Sequence, residues 1–275
     1  MLATLVIVFR EVLEASLVVG IVLAATRGVP RRALWIAGGV LGGALGAALV
    51  AGFAGEIAEA VEGVGQELFN AAILLAAVCM LGWHNIWMSR HGREMAANAS
   101  KLGQEVLEGT RPLYALSLVV GIAVLREGSE IVLFLYSIAA ADGGSGLGML
   151  AGGALGLLAG VGVGAAIYLG LKIIPMRHLF TVTNGLILLL AAGLASQAAS
   201  FLAQAGLLPA LGNDLWDTSA LLTDTSLPGQ LLHVLVGYTA QPEGIQLVFY
   251  LATLAVIGAL MRLMRLQPAM AKPAE

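Results

Sequence analysis

Apolar residues run along this chain in blocks of 18 or more, separated by short polar stretches. Runs of that length match helices that cross hydrocarbon rather than helices packed in a soluble core. They predict seven membrane-spanning helices, at residues 2–25, 33–53, 66–89, 113–140, 147–171, 179–203 and 245–265. The expected fold class is therefore all-α, a polytopic membrane protein. Two of the runs are broken in the middle by charge. FREVLEASLVVGIVLAA (9–25) carries Arg10, Glu11 and Glu14, and LREGSEIVLFLYSIAAA (125–141) carries Arg126, Glu127 and Glu130.

The two broken runs head a longer correspondence. GGVLGGALGAA at 38–48 resembles GGALGLLAGVG at 152–162, and NAAILLAA at 70–77 resembles NGLILLLAA at 184–192. Spans one to three (unit one, 1–112) thus look like spans four to six (unit two, 113–203). Three spans per unit is odd, so the second unit enters the membrane upside down. This is a 3+3 inverted repeat, an arrangement of transporters whose sites lie near the midplane between the units. A loop at 204–244, a seventh span at 245–265 and a tail at 266–275 complete the single membrane domain. Span two has Gly38, Gly42 and Gly46 at four-residue steps. Span five has Gly148, Gly152, Gly156, Gly160 and Gly164. Such stripes let helix backbones approach closely, within the chain or between copies in a homo-oligomer.

Charge fixes the expected orientation. Of 14 basic residues, 12 fall in connections after spans one, three, five and seven, and the other two are Arg10 and Arg126. The opposite connections hold Glu56, Glu59, Glu62, Asp142, Asp214, Asp217, Asp224 and Glu243, with no Lys or Arg. The positive-inside rule puts the N-terminus outside and the C-terminus in the cytoplasm. The expected location is a cell membrane, of the bacterial inner-membrane type.

Composition agrees. The chain of 275 residues is 59% hydrophobic and 11% charged, against about 25% charged in a soluble domain. Its net charge of −3 argues against nucleic acid as a partner. Cys79 is the single cysteine, which excludes a disulfide framework and a cysteine metal cluster. The first 25 residues lack a basic leader and have charges where a signal peptide is clean, so no cleaved signal is expected.

Three- and four-residue spacing puts Arg10, Glu11 and Glu14 on one helix face, and Arg126, Glu127 and Glu130 likewise. Each charge at the centre of a spanning helix costs roughly 2.5–3.5 kcal/mol on insertion scales, so all six are expected to face protein or water. An ion-pair clamp accounts for one glutamate per arginine. The second glutamate of each motif leaves a formal −1, and two such motifs brought together recruit a cation or shift each other's protonation. Four carboxylates are hard ligands that suit iron(III), manganese, calcium or magnesium. The chemistry alone stops at a hard multivalent cation, or protons.

Paired Arg-Glu-x-x-Glu motifs in spans one and four of a seven-span chain resemble the oxidase-dependent iron permease family, which includes fungal high-affinity iron permeases and the bacterial EfeU type. REVLE at 10–14 and REGSE at 126–130 carry the likeness, with WDTS at 216–219 in support. The resemblance implies that Glu11, Glu14, Glu127 and Glu130 bind iron as transported substrate, supported by Arg10 and Arg126. It implies an extracytoplasmic ferroxidase or peroxidase partner, and no organic cofactor. Val12-Leu13 stands where many relatives have Gly-Leu, which changes no ligand.

Other residues take secondary roles. Glu56, Glu59 and Glu62 recur every third residue on the outer side and form a candidate entrance that concentrates cations. Trp216 and Asp217 are candidates for an outer-loop lid or partner-docking surface. Met80, His84, Met88, His91 and Met95 step down span three towards the cytoplasm, and His84 and Met88 are candidates for an exit path. Two further function classes remain beside iron transport. One is a permease for another cation, such as lead or manganese. The other is an intramembrane lipid-pyrophosphate phosphatase, which the lack of phosphate-binding Ser and Arg clusters disfavours. The chain is expected not to be an enzyme.

Overall fold

The computed structural model describes residues 1–60, 65–142, 146–170, 176–212, 214–224 and 226–266, with some side chains inside these ranges left undescribed. Eight helices are present among them: α1 (Leu2–Ala25), α2 (Arg32–Ala60), α3 (Gln66–Leu107), α4 (Tyr114–Asp142), α5 (Gly146–Tyr168), α6 (Met176–Gln204), α7 (Leu227–Val236) and α8 (Gly244–Leu266). Parts of α2, α3, α5, α6 and α8 are long and apolar enough to cross a membrane. The helix α1, of 24 residues, is about 36 Å long at 1.5 Å per residue, longer than the roughly 30 Å hydrocarbon core. It and α4 carry three charges each inside the apolar run itself.

The centre of the bundle is α1 against α4. The helix α5 lies along α1, α2 lies along α4, and α3 pairs with α6, which also packs on α8. Glycine sets these distances. A Cβ at Gly152 would stand 2.3 Å from the carbonyl oxygen of Met1, and one at Gly156 would stand 2.7 Å from that of Leu5. Gly160 and Gly164 meet Val12 and Ser16 of α1 in the same way. Four of the five glycines expected to line α5 thus back onto α1. In α2 the expected register is off by one. Gly39 and Gly43 are the close contacts, each with a Cβ position 2.6 Å from a carbonyl oxygen of α4 (Ser117 and Gly121). Gly42 has nothing within 4 Å, whereas Gly46 does meet Leu125.

Two elements depart from the expected spans. The helix α3 does not stop at residue 89 but runs 42 residues to Leu107. Its polar half lacks a breaker, and hydropathy marks where a helix leaves lipid rather than where it ends. Gly103 there touches Ala25, at the far end of α1. The expected loop at 204–244 contains α7, started by Ser226, whose hydroxyl accepts from Gly229 N, and ended by Gly237 at φ 68°. Gly237 seats against Gly193 of α6, where its Cβ would come within 2.7 Å of the Gly193 Cα. Hydrogen bonds hold the flanks: Leu215 N donates to Pro242 O, Thr218 N to Ala240 O, and Ala240 N to the side-chain Asp224 Oδ1, each at 3.0 Å.

Two apolar clusters fill the core. One gathers Ile7 of α1, Leu74 and Leu81 of α3, Phe134 and Ile138 of α4, and Leu194 of α6. The other gathers Val22 of α1, Ile36 of α2, Ala99 and Val106 of α3, and Leu116 and Val120 of α4. On each of α1, α3 and α4, a short polar stretch separates the residues of the first cluster from those of the second. Those stretches carry the site.

Candidate metal centre

The polar stretch of α1 is Arg10, Glu11 and Glu14, all buried. Arg10 Nη1 donates to Glu11 Oε1 at 3.0 Å, and Arg10 Nε stands 3.1 Å from Glu14 Oε1. Across from it, Arg126 Nε donates to Glu130 Oε1 at 3.2 Å and stands 3.9 Å from Glu127 Oε1. Each arginine therefore occupies the outer oxygens of its own motif. The Oε2 atoms of Glu11 and Glu127 accept no well-aligned hydrogen bond from any described residue, and Glu14 Oε2 has only the His84 ring nearby, at 3.4 Å. Buried acceptors left in that state are costly unless something else satisfies them.

The two motifs are not equivalent. The Arg10 side chain is 1% exposed and that of Arg126 is 32% exposed. Trp87 of α3 covers Arg126, its ring centroid 4.5 Å from the guanidinium carbon. An aromatic face over a partly desolvated guanidinium is a favourable contact, and here it closes the seam between α3 and α4.

Between the motifs lies His84 of α3, 3% exposed. Its Nε2 is 3.4 Å from Glu14 Oε2 and 3.9 Å from Glu11 Oε2, and its Nδ1 contacts Glu130 Oε2. One ligand atom from each of Glu11, His84, Glu127 and Glu130 falls within 4.8 Å of all the others. Opposite ligands of an ion with bonds of about 2.1 Å stand about 4.2 Å apart, so a contraction of about half an ångström would put all four on one ion. With His84 neutral, four glutamates and two arginines leave this buried region formally −2 (4 − 2). That charge and the free oxygens suit a divalent cation.

All four glutamates singled out from the sequence thus gather at one place, with Arg10 and Arg126 beside them. Glu14 stands one step out, touching the group through His84. The largest change concerns His84 itself. The sequence reading set it on an exit path, and the structure puts its ring in the cluster. A histidine within a long apolar span was the available signal.

The remaining candidates lie elsewhere. Glu56 and Glu59 fall in the last turns of α2, where side chains are not described, and Glu62 lies outside the described residues, as does the side chain of Met88. Trp216 and Asp217 are exposed in the segment before α7. The hydroxyl and amide of Ser219 donate to Asp217 Oδ1, and with Gln241 they hold its carboxyl below the usual aspartate range. A cavity lies on the same side of the bundle, lined by Ala3, Ile138, Ser196, Gln197, His233 and Thr239 among others. Ala3 and Ile138 are each eight residues, about 12 Å, from Glu11 and Glu130. Ile7 and Phe134 fill the gap between the cavity and the site.

Comparison with known proteins agrees with this chemistry. The model of the "Iron permease FTR1 family" matches residues 1–270. The "Ferrous iron permease EfeU" of Yersinia pestis is 32% identical over 241 residues, covering 86% of this chain and 84% of that one. The protein of the same name from Escherichia coli O6:H1 (strain CFT073) is 33% identical over 244 residues, covering 86% of each. No solved structure matches. With a match over nearly its whole length and both Arg-Glu-x-x-Glu motifs converging on one buried cluster, the chain belongs to the FTR1 iron permease family.

Proposed function

We propose that this protein imports iron through one ion site that its two Arg-Glu-x-x-Glu motifs build together, between α1 and α4. The observation that carries this is the convergence of Glu11, His84, Glu127 and Glu130 within 4.8 Å in a largely buried cluster of net negative charge. Relatives named ferrous iron permeases support the substrate.

In this reading α1 and α4 are spans, which makes seven with the five apolar helices, and α7 is a short outer helix. Pairing of α5 on α1 and of α2 on α4 supports the inverted repeat, because exchanging the two units exchanges the two contacts. The basic connections put the N-terminus outside. The cavity beside α7 is then the outer vestibule, and Ile7 and Phe134 close the way from it to the glutamates. The second apolar cluster closes the inner way. Both seals in place make an occluded state, and relative motion of the two units opens one at a time. Delivery of iron by an extracytoplasmic ferroxidase or peroxidase belongs to the same reading.

The test is accumulation of radioactive iron in proteoliposomes holding the purified chain, with manganese and lead as competitors. Accumulation that excess manganese and lead leave largely intact supports the assignment. Stronger competition by either metal than by unlabelled iron moves the substrate to that metal, and no accumulation overturns the reading.

A further inference from the structure

We infer that His84 makes this site selective for transition-metal cations over calcium and magnesium. The inference rests on the reading that the cluster is an ion site. Carboxylates alone do not discriminate well, since oxygen donors suit magnesium, calcium and manganese, whereas imidazole nitrogen suits iron, zinc, copper and nickel. A permease facing the outside meets calcium and magnesium as competitors for any cage of glutamates.

Among the described residues, His84 is the only one that offers a nitrogen ligand to the cluster. It comes from a third helix, so it is not part of either charged motif. Both ring nitrogens face carboxylates, Nε2 towards Glu14 and Glu11 and Nδ1 towards Glu130. Any ion held by Glu11, Glu127 and Glu130 together therefore rests against the ring. The repeat sharpens the point. Matching Asn70 with Asn184 sets His84 opposite Ala198, which is fully buried in the first apolar cluster. The carboxylates and guanidinia come in pairs, one from each unit. The imidazole comes once, as an addition to carboxylates supplied by both units. A bridging role alone needs hydrogen-bond donors but no metal-ligating nitrogen, and the amide NH2 of a Gln donates to a carboxylate without offering a nitrogen lone pair.

The experiment measures binding of cobalt(II) and of calcium(II) to the full chain in detergent, for the intact protein, His84→Asp, His84→Gln and Glu127→Gln. The intact protein is expected to favour cobalt strongly. Both His84 variants lower that preference by about tenfold or more through weaker cobalt binding, and Glu127→Gln weakens both ions alike. Pulsed electron paramagnetic resonance on manganese(II) bound to the intact protein supplies a readout independent of any variant's folding, with imidazole 14N modulation expected. An unchanged cobalt-to-calcium ratio in His84→Gln, or no 14N modulation, overturns the role of His84 while leaving the ion site standing. Metal binding that ignores Glu127→Gln overturns the site itself and the inference with it.

Discussion

His84 of α3 stands between Glu14 of α1 and Glu130 of α4, with Nε2 3.4 Å from the first carboxylate and Nδ1 in contact with the second. Without the imidazole, the inner faces of the two motifs oppose carboxylate to carboxylate across a gap with no bridging donor among the described residues. Three helices therefore define the site, and its energetics are shared among them.

The arginines should differ in what their loss costs. Arg10 is enclosed and its removal strands two buried carboxylates, a change of about 3–5 kcal/mol. Arg126 is partly exposed and stacked on Trp87, so its removal costs less, about 1–2 kcal/mol. Thermal unfolding in detergent of Arg10→Ala and Arg126→Ala reads the difference, and equal losses would contradict the asymmetry.

Glycine substitutions should follow the contacts and not the spacing. Gly43→Ala places a methyl against Gly121 O and is expected to cost about 1–3 kcal/mol. Gly42→Ala, one residue away and open, should be neutral. Relative expression and melting temperature of the two variants check this, and a destabilised Gly42→Ala would mean that α2 is turned about its axis.

Cysteine labelling tests the vestibule and the orientation together. In a Cys79→Ala background, Gln197→Cys is expected to react with a membrane-impermeant thiol reagent added outside, because Gln197 lines the cavity. Phe134→Cys, in the seal below, should not react. Reaction of Gln197→Cys from the cytoplasmic side alone would reverse the assigned topology.

The segment before α7 has its own pH signature. Bonds from Ser219 and Gln241 lower the pKa of Asp217 when the segment is folded. A carboxyl depressed by folding supports the fold above its unfolded value, and the support is lost as pH falls through the folded value. Fluorescence of the neighbouring Trp216 should therefore hold steady down to about pH 3.8 and change only below it. Asp217→Asn should remove that step.

Much of this was legible in the chain. Long apolar runs mark the helices, five of which are apolar enough to cross a membrane, and Arg-Glu-x-x-Glu spacing alone puts each set of charges on one face, because helix geometry is local. What was hidden depends on partners far along the sequence. Whether Gly38 and Gly42 or Gly39 and Gly43 face inwards is decided by Ser117 and Gly121 across the interface. The Met80–His84–Met88 spacing describes one helix face and is silent on what lies opposite, so His84 read as an exit residue. Hydropathy missed the second half of α3 because that half is polar yet helical. It also passed over α7, ten residues long, although Ser226 and Gly237 were fair cap signals.

The central claim is that both motifs serve one ion. Its most direct test is iron uptake into proteoliposomes by Glu14→Gln and Glu130→Gln, each compared with the intact chain and checked for unchanged elution and melting. Uptake in both single variants should fall to the level of empty liposomes, since each removes a carboxylate that flanks His84 in the same cluster. Retention of about half the uptake by either variant would mean two independent half-sites, and full retention by both would make the carboxylates a structural clamp.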